Sequence, residues 1–209
     1  MEQMDHVVAL DVSVIFTDPM WSLFDVVGAD AGRSTHAIAA IFHYEFAVNL
    51  WSGRLAEERF WPLFTDRVGM MATPPRWRTT VLNATLPMPG FRALQAMAGQ
   101  CEIWLVANHR HEWLGPVLHS TGAVRYLDRK VISSRTGLVQ PQPAAYQHLR
   151  RLASGRPVLF VGGSATHAAG ARAAGLKAVV VDSAGQWKRT VQEWDGSGPR
   201  RPVVLSPGR

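Results

Sequence analysis

The sequence predicts an α/β protein with a parallel sheet, and three observations carry that expectation. Short continuous apolar runs recur at residues 7–11 (VVALD), 103–107 (IWLVA), 158–161 (VLFV) and 178–182 (AVVVD). Their length suits strands covered on both faces, and helical-looking stretches separate them, which is the alternation of a parallel sheet. Polar or small residues stand directly after the runs: Asp11, Asn108, and the pair Gly162 and Gly163. Ligand chemistry in such sheets gathers at the carboxyl ends of the strands.

The first run ends on a single carboxylate, Asp11, and the next polar group on that side is Ser13. Residues 20–85 then differ in character. Ser34 is a plausible N-cap for a helix in which Ile38, Ile41, Phe42, Phe46 and Val48 recur at helical spacing. A second helix over 55–68 places Phe60, Leu63 and Phe64 on one side; Pro74 and Pro75 break the chain; Pro87 to Gly90 introduce a further helix over 91–98. The segment 20–85 therefore reads as a helical cap inserted into an α/β core made of 1–19 and 86–190. It is unusually aromatic, with Trp21, Phe42, Tyr44, Trp51, Phe60 and Trp77 among its residues. Most of these must form the cap's own core, and any surplus on one face would mark a protein partner or an apolar ligand. The end of the chain, 191–209, is rich in Pro and Gly and is expected to be a flexible tail.

Composition narrows the function classes. At 209 residues the chain fits one domain, or a core with an insertion. Its apolar runs are strand-length, far short of the ~18–20 residues of a spanning helix, so no membrane role is expected. The acidic start MEQMDHVV does not read as a secretion signal, and one cysteine, Cys101, excludes a disulfide framework; a cytoplasmic setting is expected. The net charge of +6 rests on 22 basic residues, of which only Lys130, Lys177 and Lys188 are lysines. They are scattered, without a basic helix or an aromatic RNA-binding signature, so a solvated surface is expected and no specific nucleic-acid partner.

Taken in order, VVALDVSVIFTD, GRLAEERFW, LPMPGFRAL, LVANHRHEWL, SSRTGLVQPQPAAYQHL and VLFVGGSATHAAGARAAGLKAVVVD resemble the haloacid dehalogenase-like (HAD) superfamily, in the subgroup with a small helical cap after the first strand. The resemblance covers nearly the whole chain to about Ser183. It implies a three-layer, Rossmann-like core and a fixed catalytic set. An aspartate ending the first strand forms a covalent ester, and a second acid two residues on donates and accepts protons. A hydroxyl residue before Asn holds phosphoryl oxygens, a Lys balances charge, and an acidic pair completes a Mg²⁺ site of oxygen ligands.

Carried over position by position, the resemblance leaves Asp11 in the nucleophile's place and Ser13 in that of the proton-transferring acid. Ala107 replaces the hydroxyl residue, although Asn108 remains; Gln140 stands in the Lys position; Gly162 and Gly163 replace the acidic pair. The expectation is that no metal or other cofactor is held and that no Mg²⁺-dependent phosphatase activity is present. Loss of a general acid alone costs ~10²–10⁴ in rate. Metal-free dehalogenation is not expected either, because that branch still needs the Lys and a cationic halide site.

Each candidate has a plainer reading beside it. Asp11 is either a carboxylate at a pocket floor or a relic bonding backbone amides. Gly162, Gly163 and Ser164 form either an anion-binding nest or a tight turn with Ser164 as N-cap. His109, Arg110 and His111 follow Asn108 and could line the same pocket; two histidines one residue apart make a poor zinc site, and Arg110 is the better substrate contact. Lys130 or Arg135 could restore the charge missing at Gln140. The function expected first is a catalytically degenerate accessory subunit docking a partner protein through its aromatic cap, because loss at four motif positions is simplest to explain by released catalytic demand. The alternative is a metal-free enzyme of small-molecule metabolism using Asp11 for displacement or ring closure on an apolar ligand held in the cleft above it.

Overall fold

A computed structural model describes residues 6–181 and 187–194. Five parallel strands, β1 (Val7–Asp11), β2 (Glu102–Ala107), β3 (Arg129–Ile132), β4 (Val158–Gly162) and β5 (Lys177–Val180), form one sheet in the order β3-β2-β1-β4-β5. β1 lies at its centre with Asp11 opposite Val106 of β2, and Leu10 opposite Val161 of β4. The chain builds one half of the sheet through β2 and β3, then returns to the other side of β1 for β4 and β5. The strand ends of β1 and β4 therefore flank the topological switch point, where open α/β sheets place their ligands.

All five residues of β1 are buried, as are all five of β4, because helices cover both faces. Leu10, Leu94, Leu105, Leu114 and Val161 belong to the core on one side, and Ala9, Trp104, Tyr146, Leu149 and Phe160 to that on the other. The strand β3 was not among the four expected. It opens with the exposed residues Arg129 and Lys130 before the buried Val131 and Ile132, so it carries no continuous apolar run. Charges suit it because it lies at the sheet's edge, where they discourage pairing with another chain. The fifth strand ends at Val180, and Asp182 lies outside the described residues.

Helices α1 (Met20–Ala31), α2 (Thr35–Ile41), α3 (Ala47–Trp51), α4 (Glu57–Val68) and α5 (Arg76–Ala84) form the cap. Ser34 does cap α2, its hydroxyl accepting from the Ala37 amide at 3.2 Å. A π-helical turn at Phe42–Phe46 joins α2 to α3. One extra residue in a helical path shifts the following side chains by about 100°. Ile38, Phe42 and Phe46 are accordingly buried, whereas Val48, read as part of the same stripe, faces solvent. In α4 the buried face is Phe60, Trp61 and Phe64, with Leu63 turned outward. The cap has its own core, dominated by Phe24, Phe42, Phe60, Phe64 and Trp77, whose rings meet mostly edge-on, as their quadrupoles favour.

The rest of the α/β unit carries α6 (Gly90–Met97), α7 (His111–Ser120), α8 (Ser133–Thr136), α9 (Pro143–Ala153), α10 (Ala165–Ala173) and α11 (Trp187–Gln192). Val191 and Trp194 are buried against the core, so the α/β unit extends past 190; residues 195–209 lie outside the described residues. No helix among the described residues is long and apolar enough to cross a membrane.

Candidate active site

Asp11 terminates the central strand and N-caps a single tight turn, Val12–Val14. It is 2% exposed. Its Oδ1 accepts from the Ser13 amide at 2.9 Å and from the Ser13 hydroxyl at 2.6 Å. Its Oδ2 lies 3.0 Å from Nδ1 of His167. The sequence reading omitted His167. It enters because Ser164, directly after β4, caps α10 by accepting from the His167 amide, which places this residue in the helix's first turn over the end of β1. A histidine three residues past a capping serine at a strand end was the available signal.

The glycines have steric roles at this junction. A Cβ on Gly163 would lie 3.0 Å from the Ser13 hydroxyl, so a side chain there would press on the group covering Asp11. A Cβ on Gly162 would lie 2.8 Å from the Phe160 ring. Ser164 acts as the N-cap, one of the two readings weighed above.

On the other flank of β1, Asn108 bridges the end of β2 to Gln140. Its Oδ1 accepts from the Gln140 amide at 2.8 Å and its Nδ2 donates to the Gln140 carbonyl at 2.7 Å. Gln140 is buried, and its Nε2 has no hydrogen-bond partner among the described residues. Tyr146, whose hydroxyl stands 3.5 Å from Gln140 Oε1, has its pKa raised by burial and by the Asp11 charge.

Arg110, expected as a substrate contact, is only 4% exposed and points its guanidinium elsewhere. It pairs with Glu112 and donates to the Leu50 and Leu55 carbonyls of the cap at 3.4 and 2.9 Å, tying cap to core. His111 bonds Ser134 through its amide at 2.9 Å. Lys130 and Arg135 are exposed, and among the described residues neither pairs with Asp11. The positive charge missing at Gln140 is not restored by these residues.

A cavity of about 220 Å³ opens between cap and core, over the ends of β1 and β2. Ser13, Asn108 and His109 contribute from the core. Trp21, Phe24, Phe42 and Trp51 contribute from the cap, with Phe42 and His43 set by the π turn. Such turns occur disproportionately at functional sites. Asp11 lies beneath Ser13, which is exposed toward the cleft. The lining residues include Asp18 and no Lys or Arg.

The Mg²⁺ implied by the resemblance does not fit these donors. A hard cation needs several oxygen ligands. Here both carboxylate oxygens of Asp11 are engaged by Ser13 and His167. No cluster of three or more metal-ligating side chains occurs among the described residues.

A buried aspartate at the switch point of a parallel sheet, under a helical cap that encloses a cavity, defines a capped α/β protein with a site at the strand ends. The chain belongs to the haloacid dehalogenase-like hydrolase family, whose model matches residues 15–175. Similar solved structures include a predicted HAD-like family hydrolase from Porphyromonas gingivalis, with 16% identity over 91% of this chain and 97% of that one, and a TM-score of 0.71. A HAD family enzyme from Bacteroides thetaiotaomicron, in complex with magnesium and inorganic phosphate, shares 12% identity over 90% and 98%, with a TM-score of 0.70. The L-2-haloacid dehalogenase from Xanthobacter autotrophicus with chloropropionic acid covalently bound shares 15% over 91% and 84%, with a TM-score of 0.60. At these identities the likeness is one of fold. No curated protein sequence matches the chain significantly.

Proposed function

We propose that the protein is a metal-independent enzyme acting on an uncharged, largely apolar small molecule, with Asp11 as the reacting carboxylate. The observation that carries this reading is the cavity: aromatic walls, no lining cation, and Ser13 as the hydroxyl between the ligand space and Asp11. A phosphate ester placed there would meet Asp18 at the wall and Asp11 behind Ser13 without a compensating Lys or Arg among the described lining residues, and like charges at short range repel. A neutral electrophile carries no such penalty.

The chemistry that suits these residues is displacement at carbon. When the Ser13 side chain turns off Oδ1, that oxygen keeps only the Ser13 amide as donor and can attack through its remaining lone pair, forming an ester as the leaving group departs. His167 on Oδ2 holds the carboxylate's orientation and offers an imidazole for proton transfer.

The test uses styrene oxide as the probe in the presence of EDTA, with peptide mass mapping. The expected result is an adduct on Asp11 that is absent in Asp11→Asn. Turnover of phosphate esters that needs Mg²⁺ and is lost in Asp11→Asn would overturn the reading.

An accessory role is the second reading. It is supported by Tyr44 and Val48, 88% and 51% exposed on one cap segment. It is weakened by the burial of most cap aromatics within the cap itself. A protein that elutes as a monomer and gives no specific cross-link from the Tyr44 region speaks against it.

A further inference from the structure

His109 is the cavity residue whose hydrogen bonding the protein leaves incomplete. It lines the cavity, is 6% exposed, and packs its ring 5.7 Å from that of Trp51. Its Nδ1 lies 3.0 Å from the Arg110 carbonyl oxygen. A carbonyl can only accept, so Nδ1 carries the proton and Nε2 of the neutral ring is an acceptor. Burial keeps the ring neutral by holding its pKa below the usual 6.5. Nε2 has no hydrogen-bond partner among the described residues, and a buried acceptor left in that condition is a standing loss that a bound molecule can recover.

The hydroxyl and amide side chains around the cavity are already engaged. Ser13 donates to Asp11, Thr17 to the Ala84 carbonyl, Thr85 to the Val81 carbonyl, and Asn108 is spent on Gln140. Asp18 and His43 also line the cavity but are exposed to water, so the unmet demand for a donor at a buried acceptor falls on His109 Nε2. The remaining walls, Phe16, Trp21, Phe24, Phe42 and Trp51, offer ring faces and edges. The volume of about 220 Å³ exceeds the ~150 Å³ of a cavity known to hold benzene, so it suits one ring system with small substituents.

We infer that the cleft binds a compact, uncharged ring compound that donates a hydroxyl or N–H hydrogen bond to His109 Nε2. This deepens the functional reading above and rests on its assignment of the cavity as the ligand site, but it concerns recognition rather than reaction. It separates two kinds of ligand that fit equally well by shape: phenol and indole carry the donor, whereas anisole and 1-methylindole lack it.

The test is binding of these four probes, and of phenyl phosphate, to the full-length protein by ligand-observed NMR, without turnover. Phenol and indole are expected to bind at least about tenfold more tightly than their methylated counterparts, because the methyl compounds leave the acceptor unpaired. Phenyl phosphate is expected to bind more weakly than phenol. In wild-type protein labelled with ¹⁵N-histidine, phenol but not anisole should move the acceptor-nitrogen resonance of one ring, and this readout needs no variant that must fold. His109→Phe should erase the preference. Asp11→Asn should retain it even though it forms no adduct, which separates this inference from the role of Asp11 in the chemistry. Equal binding within about twofold, tighter binding of phenyl phosphate, or a preference lost in Asp11→Asn would each overturn the inference.

Discussion

Glu57 and Asp11 are both buried carboxylates with three hydrogen bonds, and their differences teach more than their likeness. Glu57, in α4, accepts through Oε1 from Trp61 Nε1 at 3.0 Å, Trp113 Nε1 at 2.6 Å and Arg78 Nε at 2.7 Å. Those donors belong to the cap and to α7 of the core, so Glu57 pins one to the other. Its partners are two indoles and a guanidinium, none of which gives up a proton near neutral pH. Asp11 is held instead by one fixed backbone amide, a rotatable hydroxyl and an imidazole. Burial and saturation alone therefore do not distinguish a structural acid from a reactive one. What distinguishes them is whether the partners can turn away or exchange protons.

That contrast is broken most forcefully at Glu57. Glu57→Ala leaves two indole N–H groups and a guanidinium without their acceptor, and is expected to cost about 3–5 kcal/mol in urea unfolding; a loss under about 1 kcal/mol would remove the pin from the account. Asp11→Asn keeps the shape and one acceptor, so its stability cost is expected at about 1–2 kcal/mol, while the Asp11 adduct disappears entirely. A stability loss as large as that of Glu57→Ala would make Asp11 another structural acid.

The third test concerns pH. Burial holds folded His109 below its ordinary 6.5, so the unfolded chain takes up that proton first as pH falls. Stability is therefore level above about 6.5, declines below it, and levels again beneath the folded value, with a slope on the order of 1 kcal/mol per pH unit. His148 is shifted the same way by burial and by the Arg151 and Arg129 charges, so the readout is the difference between wild type and His109→Phe across that range. The smallest effect is at the amino end of β2 and β4, the end of the sheet opposite Asp11. Arg156, which pairs with Glu102 and holds its carboxyl below the usual range, is partly exposed; Arg156→Ala is expected to cost about 0.5 kcal/mol or less by urea unfolding.

The sequence made the central strands legible because β1, β2 and β4 are buried on both faces and so read as unbroken apolar runs. It hid β3 because an edge strand is free to begin with Arg129 and Lys130. The cap was visible through its breaks and aromatic content, but the π turn was not, since a one-residue phase slip leaves no mark on composition. Asp11, Ser13 and Asn108 were found because they stand at strand ends. His167 was missed because attention fell on Gly162 and Gly163, and the residue that reaches Asp11 lies one helical turn further on. Arg110 misled for the opposite reason: adjacency to Asn108 in sequence says nothing of a guanidinium turned back toward Leu50 and Leu55.

If Asp11 works without a divalent cation, as proposed, calorimetric titration of Mg²⁺ into the wild-type protein and Asp11→Asn, with and without inorganic phosphate, is the sharpest check. The predicted result is the same negligible heat from both proteins under both conditions. Saturable Mg²⁺ binding by the wild type that Asp11→Asn abolishes would contradict it.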